Sequence, residues 1–85
     1  MSRLRKYGLV QEDYDFMFYE QGGMCKLCGF KAKFRNLSVD HDHKTLKVRG
    51  LLCSECNLGL GKFKDDPAVL REAARYLEAY GSVLV

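Results

Sequence analysis

The four cysteines of this 85-residue chain form two CxxC pairs, Cys25/Cys28 and Cys53/Cys56, with 24 residues between them. Two residues between thiolates allow a tight turn to present both sulfurs to one tetrahedral ion, so the two pairs predict a four-thiolate structural zinc site. Two disulfides or redox-active thiols are the alternatives for this spacing. A zinc site would supply much of the folding energy, because a chain this short buries only a limited core.

The segment between the pairs is longer than the roughly 15 to 20 residues usual for zinc ribbons, so we expect a hairpin to be inserted there. The stretches "LSVDH" and "KVRGLLC" carry β-branched and apolar residues on either side of "DHKTL", which predicts two strands and a turn. A short helix is expected over about residues 54–60. These elements make a ββα arrangement stapled by the cysteines.

Two further helices are predicted to flank this core. In the first, over residues 10–21, Tyr14, Met17 and Phe18 share one face, and a Gly-Gly pair ends it. The second begins at Pro67 after an acidic cap formed by Asp65 and Asp66. Its apolar stripe comprises Leu70, Ala73, Ala74, Leu77 and Tyr80 and is closed by Gly81. We expect both apolar faces to be core in a single small α+β domain spanning residues 1–85.

Basic residues are concentrated in the middle of the chain, where residues 26–64 hold nine lysines and arginines against three acidic residues. A positively charged surface of this kind suits a polyanion such as nucleic acid, although solvation of a small domain is an equally good explanation. The candidate phosphate contacts are Lys44, Lys47, Arg49, Lys62 and Lys64. The sequence contains neither a secretion signal nor a membrane span, so we expect an intracellular protein.

The "DHDH" stretch at residues 40–43 is a candidate active site. Asp40 ends the first predicted strand, and Asn57 stands at the start of the short helix, so their oxygens could hold one hard divalent cation such as Mg²⁺. His41 would then take a proton from an attacking water. Because strict strand alternation would point Asp40 and His41 to opposite faces, we predict a bulge or early turn at residues 40–42.

The chain resembles the recombination endonuclease VII family of phage nucleases, within the HNH or His-Me finger class. The resemblance lies in "KYGLVQEDYDFM" (6–17), "GGMCKLCG" (22–29), "LSVDHDH" (37–43) and "VRGLLCSECNLGLG" (48–61). It implies that the four cysteines bind zinc, that Asp40 and Asn57 bind catalytic Mg²⁺ or Mn²⁺, and that His41 is the general base. His43 matches the second histidine of the motif and would orient the scissile phosphate or support the site.

The activity implied by this resemblance is hydrolysis of DNA phosphodiester bonds that leaves 5′-phosphate and 3′-hydroxyl ends, in the cytoplasm of the host cell for a phage-encoded enzyme. Larger family members carry a long C-terminal region that builds a dimer able to cut branched junctions. We therefore expect a monomer or weak homodimer here, and junction resolution is not predicted. A non-catalytic zinc module that binds nucleic acid, or a purely structural subunit, is the alternative from another class.

Two acidic residues near the site have less specific interpretations. Asp42 is expected to cap the backbone of the "HKT" turn and not to bind metal. Glu55 lies close to Asn57 in the sequence and could supply an extra carboxylate, but we do not assign it to the site.

Overall fold

The structure is a computed structural model that describes residues 7–33 and 36–81. Its element order is α1 (Gln11–Glu20), β1 (Ser38–His41), β2 (Val48–Leu52), α2 (Ser54–Lys62) and α3 (Pro67–Gly81). The two strands pair antiparallel, and α2 follows β2 directly, which confirms the predicted ββα arrangement. The lysine-rich stretch over residues 30–36, for which the sequence predicts a loop or irregular strand, includes Phe34 and Arg35, which lie outside the described residues. The apolar residues 83–85 also lie outside them.

The first helix follows the sequence prediction closely. The Val10 N–H donates to the Asp13 carboxylate at 3.0 Å, which satisfies one of the free donors at the start of α1. Gly22 and Gly23 follow the helix with φ of 63° and 71°, a left-handed conformation that glycine adopts without a Cβ clash. Tyr14 is buried and donates its hydroxyl to the Leu37 carbonyl at 2.6 Å, so α1 is anchored to the start of β1.

The core is small. The described buried apolar residues are Tyr14, Cys25, Ala32, Leu37, Leu51 and Leu52. Among the partly buried side chains packed against them are Met17 and Phe18 of α1 and Leu60 of α2. A core of this size leaves little margin over the conformational entropy lost on folding, so additional cross-links carry weight.

The four cysteine sulfurs meet at one point, with every pair of Sγ atoms within 4.8 Å. The Sγ atoms of Cys28 and Cys53 are 3.8 Å apart, which matches the edge of a tetrahedron with metal–sulfur bonds of about 2.3 Å. Backbone N–H groups of Leu27 and Cys28 donate to Cys25 Sγ at 3.4 and 3.5 Å. The four sulfurs are therefore close enough together to hold one metal ion.

The thiol pKa values show why the cluster suits a cation. Burial raises the pKa of Cys25, but backbone N–H donors, including those of Cys28 and Leu27, outweigh it and lower the value to about 6. Burial and the neighbouring sulfurs raise the pKa of Cys56 to about 12. The first thiolate thus forms readily, whereas a full set of thiolates needs a positive ion among them.

The last helix departs from the prediction. The Asp66 carboxylate accepts the Ala68 N–H at 2.9 Å, which confirms the predicted cap. The expectation that the apolar stripe of α3 is core is wrong for the described chain, because Leu77 and Tyr80 are 65% and 61% exposed. No described element makes more than slight contact with α3. No helix within the described ranges is both long and apolar enough to cross a bilayer.

Gln21, at the end of α1, joins the first cysteine turn to the outer edge of β2. Its Nε2 donates to the carbonyls of Met24 and Leu51 at 2.8 and 2.9 Å, and its Oε1 accepts the Leu51 N–H at 2.9 Å. Lys26 adds a backbone bond to the Leu51 carbonyl at 3.1 Å. The Gln21 side-chain amide thus pairs with the backbone of the fully buried Leu51 as a third strand would.

We predict that Gln21→Ala lowers the free energy of unfolding by about 1–3 kcal/mol, because it leaves the buried Leu51 N–H without a partner. Urea denaturation of the metal-loaded protein measures the change. Gln11→Ala is the matched control, since Gln11 is exposed on the same helix and, among the described residues, its side-chain amide donates to Asp15. It should change stability by no more than about 0.5 kcal/mol. Equal losses in the two variants would contradict the role given to Gln21.

Candidate active site

An open pocket of about 430 Å³ lies between the end of β1 and one face of α2, and we call it the β1–α2 pocket. It is lined by Asp40, His41, His43, Asn57, Leu58, Gly61 and Lys62. The four side chains that the sequence analysis selected as catalytic are therefore all present around one space. The lining by Leu58 and Gly61 was not foreseen, because it follows from how α2 lies against the hairpin.

A β-bulge brings Asp40 and His41 to the same pocket. Asp40 pairs with Gly50, whereas His41 pairs with Val48, so Arg49 is an extra residue on β2. Consecutive side chains of a regular strand point to opposite faces, and a bulge breaks this alternation. The predicted irregularity at residues 40–42 is confirmed, although the extra residue belongs to the partner strand.

Asn57 reaches the pocket because of where α2 begins. Cys53 is the N-cap, and its sulfur accepts the Cys56 N–H at 3.4 Å. The Asn57 N–H donates to the Cys53 carbonyl at 3.0 Å, so Asn57 lies inside the first turn and its side chain does not cap the helix. A helix turns by about 100° per residue, which lets Cys56 face the sulfur cluster while Asn57 faces the pocket.

The imidazole of His41 contacts two other rings. The Tyr7 ring centroid is 4.6 Å from it and the His43 centroid 4.9 Å, both in tilted geometry. These two ring contacts restrict the rotamers of His41, which is half-buried. The place of Tyr7 at the site is not predictable from the sequence, since no spacing rule connects a residue before α1 with the end of β1.

The buried carboxylate of Asp40 is bound by Arg49. Nε and Nη2 of Arg49 donate to Oδ2 and Oδ1 of Asp40 at 2.7 and 3.0 Å. Nη1 and Nη2 also donate to the two carboxylate oxygens of Asp65, both at 3.0 Å. The bonds to Asp40 and then Asp65 raise the pKa of Arg49, and the bonds from Arg49 lower the pKa of Asp65.

These bonds change what the sequence analysis expected of two residues. Arg49 was grouped with the phosphate contacts, but its guanidinium already binds two carboxylates. Asp65 was expected to share in the acidic cap of α3, yet Asp66 forms that cap and Asp65 binds Arg49. Neither link was visible in the sequence, because it depends on the bulge and on the turn after α2.

The donor atoms around the β1–α2 pocket fit a hard divalent cation. Asp40 offers carboxylate oxygens and Asn57 an amide oxygen, which are the ligand types that Mg²⁺ takes while it retains several waters. A carboxylate has about four lone-pair sites, so the two bonds from Arg49 leave Asp40 able to bind a cation as well.

The remaining acidic candidates behave as expected. Asp42 Oδ1 accepts the backbone N–H groups of Thr45 and Lys44 at 2.9 and 2.8 Å, which confirms the turn-capping interpretation and lowers the pKa of Asp42. Glu55 is exposed in the first turn of α2 and does not line the pocket. Among the predicted phosphate contacts, Lys62 lines the pocket, and Lys44, Lys47 and Lys64 are exposed.

Similar proteins come from phages. The Gene 59 protein of Mycobacterium phage D29 is 44% identical over 84 residues, an alignment that covers 96% of this chain and 51% of the relative. The Gene 59 protein of Mycobacterium phage L5 is 43% identical over 76 residues and is covered to 46% of its length. The chain thus spans about half the length of the curated relatives it matches.

A solved structure shares the fold. The type II restriction endonuclease Hpy99I, described as a ββα-Me enzyme, superimposes with a TM-score of 0.60 at 32% sequence identity, over 84% of this chain and 42% of that chain. The sequence model of recombination endonuclease VII matches residues 1–79. The chain therefore belongs to the recombination endonuclease VII family.

Proposed function

We propose that this chain is an HNH-type, metal-dependent DNA endonuclease that hydrolyses phosphodiester bonds and leaves 5′-phosphate and 3′-hydroxyl ends. The observation that carries the proposal is the gathering of Asp40, His41, His43 and Asn57 around one open pocket. Membership of an endonuclease family and the likeness to a ββα-Me restriction endonuclease support the same reaction class.

Asp40 and Asn57 would hold the catalytic cation, Mg²⁺ or Mn²⁺, through hard oxygen donors. When bound, the cation supplies positive charge against the negative charge that develops on the phosphate and on the leaving 3′ oxygen. The burial of Asp40 keeps its carboxylate in one orientation, so little rearrangement is needed when the cation enters.

His41 acts as the general base and takes a proton from the attacking water. A base of this kind must lie within hydrogen-bonding reach of the water, and the contacts with Tyr7 and His43 hold its ring in place. His43 lines the same pocket and either orients the scissile phosphate or supports the site. Lys62, at the rim of the pocket, binds phosphates of the DNA backbone. The same role is given to the exposed surface residues Lys44, Lys47 and Lys64.

The four cysteines bind a structural zinc ion in this proposal. Their close approach and the N–H donors to Cys25 favour a set of thiolates around one soft divalent ion. The catalytic cation and the zinc therefore have separate ligand sets, one of oxygen and one of sulfur. The protein would act on DNA in the cytoplasm of the host cell as a monomer or weak homodimer.

We predict that the purified protein nicks supercoiled plasmid with Mg²⁺ and not with EDTA, and that His41→Ala lowers the rate at least about 100-fold, since the proton acceptor is lost. Agarose gels that follow conversion to open-circular DNA measure the rate. Intact plasmid under all these conditions, with the protein still bound to DNA, would favour the non-catalytic zinc module.

Asp40→Asn and Asp42→Asn form a matched pair for the metal-ligand assignment. The two changes remove the same charge two residues apart, but Asp42 caps the turn and does not line the pocket. We predict that Asp40→Asn abolishes nicking, whereas Asp42→Asn retains it within about threefold because asparagine also caps such turns. Retained activity in Asp40→Asn would refute the assignment.

For the cysteine site, we predict one zinc ion per chain by elemental analysis and loss of helical circular dichroism when a strong chelator removes it. Zinc binding of this kind contributes on the order of 10 kcal/mol or more, which exceeds what so small a core provides. Cys53→Ala should fail to retain zinc, whereas Asp40→Asn should retain it. A chelated protein with unchanged helicity and melting temperature would contradict a structural role.

A further inference from the structure

Arg49 joins two carboxylates that lie far apart in the sequence. Its guanidinium makes two hydrogen bonds to Asp40 at the end of β1 and two to Asp65 in the turn after α2. Side-chain exposure is 9% for Asp40, 19% for Asp65 and 36% for Arg49, so the group is partly shielded from solvent. Paired hydrogen bonds between a guanidinium and a carboxylate that are shielded from solvent fix the orientation of both groups as well as stabilising them.

Arg49 approaches Asp40 from a different side than the β1–α2 pocket. It lines a neighbouring cleft with Lys26, Gly50 and Leu60, and Asp40 lines both spaces. Arg49 does not line the β1–α2 pocket itself. The guanidinium therefore holds the carboxylate on the side of this cleft, and Asp40 also borders the pocket that contains Asn57, where its remaining lone pairs can meet a cation.

The charges of the three side chains explain why Asp65 matters. Asp40 and Arg49 alone would cancel, and a divalent cation entering beside the guanidinium would meet a group without net charge. Asp65 returns the group to one net negative charge. The site can then attract a cation more strongly than the Asp40–Arg49 pair alone would, while Asp40 remains anchored.

The turn that carries Asp65 has an uncommon backbone. Lys64 and Asp65 have φ of 61° and 56°, in the left-handed region that residues with a Cβ rarely adopt. Backbone bonds from Asp65 to Leu60 and from Lys64 to Gly61, of 2.8 and 2.9 Å, close the turn onto the end of α2. The ion pair with Arg49 therefore connects β2 to the end of the helix that carries Asn57.

We propose that Arg49 and Asp65 are positioning residues for the catalytic cation. Arg49 orients the Asp40 carboxylate toward the β1–α2 pocket, and Asp65 compensates the charge of Arg49 so that the pocket keeps its affinity for a divalent ion. This inference rests on the proposed function, because it concerns the same cation.

The test measures Mn²⁺ binding to the zinc-loaded full chain without DNA, by electron paramagnetic resonance of free Mn²⁺. Asp65→Asn should raise the dissociation constant about three- to tenfold, because it leaves Arg49 uncompensated beside the cation. Asp66→Asn is the matched control: it removes the same charge from the next residue, and asparagine still caps α3. It should stay within about twofold of the wild type.

The possible results distinguish a failure of the positioning role from a failure of the proposed cation site. Equal dissociation constants for Asp65→Asn and Asp66→Asn, with binding that Asp40→Asn abolishes, would overturn the positioning role and leave the cation site intact. Wild-type protein without Asp40-dependent Mn²⁺ binding would overturn the cation site and this inference together. Zinc content and melting temperature verify that each variant is folded.

Arg49→Lys tests the orienting role, since lysine keeps the charge but lacks the planar fork that binds two carboxylates at once. We expect weaker Mn²⁺ binding together with faster amide hydrogen exchange at residues 63–66, as the turn loses its tie to β2. Wild-type values for both measurements would overturn the role of Arg49. Faster amide hydrogen exchange without any change in Mn²⁺ binding would mean that Arg49 is only a structural residue. That result would also overturn its positioning role.

Discussion

The convergence of four cysteine sulfurs on one point is the constraint on which the rest of this structure depends. The described core holds few fully buried side chains, and α2 contains Gly59 and Gly61, each of which weakens a helix by about 1 kcal/mol relative to alanine. Cys53 both joins the sulfur cluster and caps α2, so the cluster lies where the helix starts. The position of Asn57, four residues later, follows from that start.

Charge and ligand type then give different roles to residues that are neighbours in the sequence. The four cysteines form the sulfur cluster by themselves, which leaves the oxygen and nitrogen donors of the "DHDH" stretch free for other roles. Asp40 is buried and requires compensation, since an isolated carboxylate in such a place is costly. Arg49 supplies it from the bulged position of β2, and Gly50 opposite Asp40 leaves room for the Lys26 side chain, whose Cδ would lie 2.9 Å from any added Cβ. The bulge thus brings His41 to the same pocket as Asp40, and it also places Arg49 where it binds the Asp40 carboxylate.

The apolar stripe of α3 shows where periodicity stops being informative. The stripe at helical spacing predicted a helix correctly, and Pro67–Gly81 is that helix. The same stripe did not indicate what covers it, because amphipathicity measures which side avoids water and not which surface is nearby. Tyr14, with the same kind of periodicity in α1, is buried since the hairpin passes beside it and accepts its hydroxyl at Leu37.

By itself, the sequence determined the elements whose signals are local: the cysteine pairs, the glycine and aspartate caps, the hairpin, and the residue types that can carry the chemistry. Even the bulge was predictable, because Asp40 and His41 could share a pocket only if strand alternation failed. The tertiary structure decided the rest: Tyr7 against His41, Arg49 between Asp40 and Asp65, and the exposure of α3. These contacts join distant segments, and their partners are set by the path of the backbone, which no spacing along the chain encodes.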